Sequence, residues 1–213
     1  MPLVIVPPGW YAAGMEKRKR QPDVTRARIL EIADEDFVRS GYAASGLGGI
    51  VERAGFTKGA LFHHFADKRA LGLAWVSEVA ANGIRVVWVD PMADLLTLDG
   101  LKEFCRARLT TMSADDALAG LVLMAAEMGG VDEAMAAAVE EVFEFWRGGF
   151  AELLERGKEA GWIRCSIQPA VEAPFLVSMF SGFSIGMRLP SADATRRAGL
   201  LALDAYLETL RAV

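Results

Sequence analysis

Two adjacent histidines, His63 and His64, directly follow the apolar pair Leu61 and Phe62 in the stretch SGLGGIVERAGFTKGALFHHFADK that runs from Ser45 to Lys68. They are the only histidines in the chain. Neighbouring helical positions point about 100° apart, so the two cannot chelate one ion together, and no third histidine completes a zinc set. Cys105 and Cys165 lack zinc spacing as well, although the two could still pair. No glycine loop follows a strand to cradle a phosphate, and no Ser, His and Asp fall in a nucleophile order. The carboxylate pairs Asp115-Asp116 and Glu140-Glu141 are adjacent on helices and read as solvated faces. The sequence therefore offers no catalytic residue, no metal site and no cofactor. What remains is contact chemistry: a short helix that turns Leu61 and Phe65 inward leaves Lys58, Ala60, Phe62, His63 and His64 pointing elsewhere, an unusual outer face for an element that only fills a core.

The elements that position those residues are legible in the spacing. Ser45 is placed to N-cap a helix whose apolar positions Leu47, Ile50, Val51 and Ala54 recur at three- and four-residue intervals. Gly55 closes it in the left-handed conformation, with Phe56 packing back, and Thr57 caps a second helix from Lys58 to about Phe65. Gly46, Gly48 and Gly49 put three poor helix formers into the first of these helices, at roughly 1 kcal/mol each relative to alanine. Ahead of the pair, Pro22 and Thr25 mark a helix with the apolar stripe Ile29, Ile32, Ala33, Phe37 and Val38, ending at Gly41. Charge follows the same division. The net charge is -5, yet residues 1–70 hold 11 basic against 8 acidic residues and residues 71–213 hold 12 against 20, a basic segment on an acidic remainder.

The ordered set Gly41, Tyr42, Ser45, Leu47, Ile50, Ala54, Gly55, Thr57, Gly59, Leu61, Phe62, His64, Phe65 and Lys68 resembles the N-terminal domain of the tetracycline-repressor (TetR) family of bacterial transcription regulators, over about residues 25 to 73. The resemblance implies a helix-turn-helix whose second helix enters the major groove of double-stranded operator DNA. It puts Lys58, Ala60, Phe62 and His63 on the groove face, and Thr25, Thr57, His64 and Lys68 on phosphates. Gly59 allows close backbone approach, and Ser45 joins this DNA-binding set at the start of the motif. Phe62 stands where the family usually has tyrosine, which removes a phosphate hydrogen bond and leaves stacking or thymine-methyl contact. Lys17 to Arg20, in an arm over residues 1–20 that is expected to be disordered, are placed to lie along phosphates.

The rest of the chain reads as helix throughout, so the fold class is all-α: a three-helix DNA-binding head over residues 21–68 and a helical ligand-binding and dimerisation body over 69–213. A fourth helix from Lys68 to about Val89, carrying Leu71, Trp75, Val79, Val86 and Val87 and stopped at Asp90-Pro91, links the two. Further helices are expected over Met92 to Met112, Ala114 to Met128, Asp132 to Ala160, Pro169 to Leu189, and from there to about Arg211. The segment from Glu144 to Arg188 resembles, more weakly, a TetR subgroup whose last two helices form a dimeric four-helix bundle. Ser178, Gly182 and Gly186, at four-residue intervals, are placed at that homodimer contact. Trp75, Phe104, Cys105, Arg108, Met124, Glu127, Trp146, Phe150, Phe175 and Met179 come from five helices and are expected to line an effector cavity for a small molecule. A composition 53% hydrophobic with 24% charged supports a sizeable core, and no uninterrupted apolar run long enough to span a bilayer is apparent, so the expected setting is cytoplasmic with no membrane partner. The reading is a ligand-responsive repressor. A helical small-molecule carrier or sensor that does not bind DNA is the alternative, and a hydrolase or isomerase using Glu127 and Arg108 would require turnover.

Overall fold

The structure, a computed structural model, describes residues 21–212, and among them nine helices and no strand, only an isolated antiparallel bridge between Ile163 and Arg211. The expectation for the basic arm lies outside the described residues. The helices are α1 Gln21–Ser40, α2 Leu47–Ala54, α3 Lys58–His64, α4 Lys68–Met92, α5 Leu98–Thr111, α6 Ala117–Met128, α7 Glu133–Glu159, α8 Pro169–Gly186 and α9 Ala192–Glu208.

Local chemistry sets most of these boundaries. Thr57, Asp67, Thr97, Asp116 and Asp132 each accept a backbone N–H three residues on, from Ala60, Ala70, Gly100, Ala119 and Met135, which satisfies one of the orphan donors of a helix start. Two expected starts move accordingly. The helix expected from Met92 begins at Leu98 because Thr97 caps it, and the one expected from Ala114 begins at Ala117 because Asp116 caps it. Asp116 is thus no member of a solvated acidic face: it is half-buried, and burial holds its carboxyl above the usual range despite the backbone bonds that oppose the shift.

The head assembles as its pattern requires. Ile29, Ile32, Ala33, Phe37 and Val38 of α1 are all buried, and Ile50, Val51, Leu61 and Phe65 close on them from α2 and α3. Phe37 meets the rings of Tyr42 and Trp75 edge-on at 5.3 and 5.6 Å. Arg53 of α2 is ion-paired to Glu35 and Asp36 of α1, so the glycine-weakened helix leans on α1.

α4 departs from the sequence reading in two ways. Its buried set is Leu71, Trp75, Val76, Ala80, Ile84, Trp88 and Met92, while Val86 is exposed and Val79 and Val87 are only half-buried. Those buried positions recur every four or five residues, and a regular α-helix, with 3.6 residues per turn, would carry them off the core by roughly 40° at each four-residue step. Two π-helical segments, Trp75–Ala80 and Arg85–Val89, widen the turn and keep the stripe in line. The second also carries the helix past the expected stop at Asp90-Pro91: the Asp90 N–H reaches back to Arg85 O, and Pro91 follows in a ladder already opened. At 25 residues α4 is also long and apolar enough by composition to count as a candidate membrane span, which the sequence reading overlooked. Its largest apolar side chains, Trp75, Trp88 and Met92 among them, are buried in the protein core, and its Arg69, Glu78 and Arg85 pair with Asp132, Arg26 and Asp90.

The remaining helices stack on this axis: α7 packs along α8, α5 along α9, and α6 against both α1 and α8. Trp88 sits at the centre of an aromatic cluster, its ring 4.7 Å from Trp146, 4.6 Å from Phe180 and 6.1 Å from Phe104. α8 ends at Gly186, not at Leu189, and α9 at Glu208, not at Arg211.

Candidate nucleic-acid interface

The turn between α2 and α3 is built as the spacing predicts. Gly55 takes φ 72° and ψ 22°, its N–H bonding Glu52 O at 3.2 Å while the Phe56 N–H bonds Val51 O at 3.3 Å, and Phe56 packs on the core. This closure aims α3 so that only Leu61 of its seven residues is buried. Lys58 and Phe62 form one exposed row and Gly59 and His63 a second, each pair one turn apart. Ala60 and His64 are half-buried at the edges, and the His63 and His64 rings meet edge-on at 5.2 Å. Phe62 is half exposed to solvent, an apolar ring held out from a packed domain. Among the described residues no cluster of three metal-capable side chains occurs.

Ser45 does not take its expected place. It is buried, its hydroxyl donates to Gly41 O at 2.7 Å, and the N-cap of α2 is Gly46, which makes no side-chain bond. A side chain so enclosed neither caps α2 nor reaches DNA. Lys68 is present but committed: half-buried, it donates to Ala43 O at 3.1 Å and lies 4.4 Å from the centre of the Tyr42 ring. Burial lowers its pKa, against the pull of Glu127. Thr57 is exposed, its oxygen engaged by the Ala60 N–H, and Thr25 is half-buried.

Beneath the reading helix, four contacts tie the head to the rest of the chain. Trp75 Nε1 donates to Asp34 Oδ1 at 2.8 Å, and Arg26 bridges α1 to Glu78 of α4 while its guanidinium covers the Phe65 ring at 5.0 Å. Gly41, at φ 84°, lets the chain turn against Glu127, whose carboxylate accepts the Ala43 N–H at 2.8 Å; a Cβ at Gly41 would sit 2.1 Å from that carboxylate. Arg188, just past α8, donates to Val38 O and Arg39 O at 2.8 Å each and to Ala114 O at 3.0 Å, capping the last carbonyls of α1. None of Arg26, Arg53 or Arg188 was singled out in the sequence. Arg188 lies 150 residues from Val38, and no local pattern could reveal the pairing.

These contacts divide the expected effector set. Trp75 and Glu127 belong to the head joint, where their polar groups are already satisfied. Phe175 is half exposed on α8, against Tyr206 at 4.9 Å. The Trp88 cluster does gather Phe104, Trp146 and Phe150, with Cys105 buried on the same helix as Phe104 and the half-buried Arg108 guanidinium 5.6 Å from the Phe104 ring. Burial drives the Cys105 thiol far above its usual range, so it stays protonated and works as a small apolar group, and it also works against the charge on Arg108. Met124 is buried and Met179 half-buried in the core. Two open grooves mark the surface, one along α5 at Arg106 and Thr110 and one between α6 and α7 at Ala125 and Phe143, and none of the ten expected residues lines either.

The expected dimer glycines also divide. Ser178 and Gly182 are exposed on α8, but a Cβ at Gly186 would meet Thr195 Cγ2 at 2.8 Å, so Gly186 serves the packing of α8 on α9 within the chain.

A short helix presented by a glycine-closed turn on a three-helix core, with a basic and aromatic outer row, has the form of a helix-turn-helix DNA-binding domain. Comparison with known proteins makes this more particular. Residues 29–74 match the family described as bacterial regulatory proteins, tetR family. The chain is similar to the HTH-type transcriptional repressor DhaR of Mycobacterium sp. (strain GP1), 24% identical over 165 residues that cover 77% of this chain and 82% of that protein. It is 36% identical to the HTH-type transcriptional repressor AcnR of Corynebacterium glutamicum over 89 residues, covering 42% of this chain and 43% of the relative. The crystal structure of a TetR transcriptional regulator from Chloroflexus aurantiacus J-10-FL shares the fold, with a TM-score of 0.80 at 22% identity, covering 92% of this chain and all of that one. Residues 29–74 thus match the helix-turn-helix of TetR-family regulators, and most of the chain shares the fold of a TetR regulator.

Proposed function

We propose that this regulator is a homodimeric repressor: each head, residues 21–68, sets Lys58 to His64 into a major groove, on half-sites about one helical turn apart in a palindrome. The observation that carries the reading is the pair of exposed rows on α3, Lys58 with Phe62 and Gly59 with His63, above a helix anchored by buried Leu61 and Phe65. Lys58, Ala60, Phe62 and His63 read the bases, while Thr25, Thr57 and His64 meet phosphates. Lys68 acts chiefly by holding the Tyr42–Ala43 turn. Dimerisation is supported by Val171, Phe175, Ser178, Gly182, Ile185 and Leu189, which recur at three- and four-residue intervals and are all exposed on one side of α8 and its extension, and by Ala194, Ala198, Leu201 and Ala205 along α9. The body, 69–213, takes a small-molecule effector at the Trp88 cluster, and α4 carries the response to the head. The protein acts on the chromosome in the bacterial cytoplasm.

Fluorescence anisotropy on the intergenic DNA upstream of the coding sequence tests this. With about six phosphates neutralised per site, affinity should fall about a thousandfold between 50 and 200 mM salt. Lys58→Ala should weaken the specific site by roughly 1–3 kcal/mol and relax its preference, whereas His64→Ala should weaken all DNA alike. Ile185→Glu with Leu189→Glu should give monomers by sedimentation. A flat salt response rejects the DNA reading, and an unaltered dimer rejects the α8 interface.

A further inference from the structure

The Trp88 cluster leaves three hydrogen-bond donors without acceptors. Trp146 and Ser184 are fully enclosed, and their Nε1 and Oγ make no hydrogen bond; the Nε of half-buried Arg108 is in the same condition. Among the described residues no carboxylate pairs with the Arg108 guanidinium. Natural cores keep few such groups, because a buried donor that has given up water and found no partner is a standing loss of stability.

Each of the three stands beside a ring of the Trp88 cluster. Trp146 is in ring contact with Trp88, Ser184 follows Phe180 by one turn on the buried side of α8, and Arg108 follows Phe104 by one turn on α5. Of these residues only Phe104 and Arg108 are half-buried, so solvent reaches the neighbourhood on the side of this arginine and phenylalanine. The chemistry missing from the neighbourhood is an acceptor, and one of the three unused donors is cationic. A carboxylate accepts at both oxygens, carries the charge that complements a guanidinium, and has no proton of its own to strand. A cationic or purely donating ligand would add to the excess of donors.

We infer that the effector is an organic carboxylate, its aromatic or aliphatic body lying on the Trp88, Trp146 and Phe180 rings and its oxygens accepting from Arg108, Trp146 Nε1 and Ser184 Oγ. The inference rests on the reading of the body as an effector site and names the class of ligand that site takes.

Three probes of one shape test it on the full chain: 1-naphthoate, 1-naphthalenemethanol and 1-naphthylmethylamine. The readout is the indole N–H resonance of Trp146 in protein labelled with nitrogen-15 at tryptophan, assigned through Trp146→Phe. Naphthoate should move that resonance and bind at least about tenfold tighter than the alcohol or the amine. Arg108→Met, which keeps the side chain's length and apolar stem, should remove that preference, Arg108→Lys should restore part of it, and Ser184→Ala should weaken naphthoate by a few fold. Equal binding of the three probes, or unchanged naphthoate affinity in Arg108→Met, overturns the carboxylate assignment. If the alcohol or amine alone shifts Trp146 and releases DNA, the body remains an effector site and only the ligand class fails. If no probe of any charge moves Trp146 or Trp88, both readings fail.

Discussion

Replacing Gly48 and Gly49 by alanine should stabilise the reading head without touching its reading surface. Both residues are exposed within α2, neither has positive φ, and a Cβ built at either meets nothing within 4 Å. The helix they weaken is eight residues long, buries only Ile50 and Val51, and starts at a glycine with no side-chain cap. Each substitution removes about 1 kcal/mol of backbone entropy loss, so the pair contributes roughly 2 kcal/mol if α2 unfolds with the rest of the chain. For a chain of this size that is a rise of about 4–8 °C in Tm, read by calorimetry. Native-state hydrogen exchange at the Ile50 amide, which bonds Gly46 O at 3.3 Å, locates the effect. If α2 opens on its own, exchange there should slow about thirtyfold while the global Tm stays put. A lower Tm together with faster exchange at Ile50 would refute the argument that glycine entropy limits this helix. Operator affinity should not fall. A tenfold loss would mean that the bare backbone at 48–49 is needed against DNA, and would move both glycines from weakness to function.

Two further outcomes follow from the joint. Arg188→Met should destabilise the chain by roughly 2 kcal/mol in urea unfolding, since it strips charge-assisted hydrogen bonds from Val38 O, Arg39 O and Ala114 O at a partly solvated site. An unchanged midpoint would show that water replaces the guanidinium at no cost. Asp34→Asn should flatten the pH dependence of stability just above pH 4. Burial raises the Asp34 carboxyl pKa in the folded chain, outweighing the hydrogen bond from Trp75 that lowers it. The unfolded carboxyl therefore ionises first, near its ordinary value of about 3.9, and stability falls as pH rises from there to the folded pKa. The amide keeps an acceptor for Trp75 Nε1 and cannot ionise, so equal slopes in both proteins would rule out Asp34 as their source.

The head was legible because its signals are local. A glycine that closes one helix, a threonine that caps the next and apolar residues at three- and four-residue intervals need no distant partner to act, and Gly55, Thr57, Leu61 and Phe65 sit where that chemistry puts them. Ser45 failed as a cap because its hydroxyl donates to Gly41 O, four residues back, which holds the side chain away from the N–H groups that a capping oxygen would accept from. α4 failed in register for a related reason: its apolar positions follow a longer repeat than an α-helix, and only packing on both head and body makes two π-helical segments worth their weaker geometry.

The exposed rows of α3 that opened the question, with Lys58, Phe62 and His63 outward, were determined by the sequence alone, because helical periodicity and end caps act within a few residues. The tertiary structure decided what stands behind them. It assigned Glu127 and Trp75 to the joint, sent Arg188 across to the carbonyl end of α1, and left Trp146, Ser184 and Arg108 with unused donors around Trp88. A side chain's spacing fixes which face of its helix it occupies, but only the meeting of helices far apart in the chain decides which polar atoms find a partner.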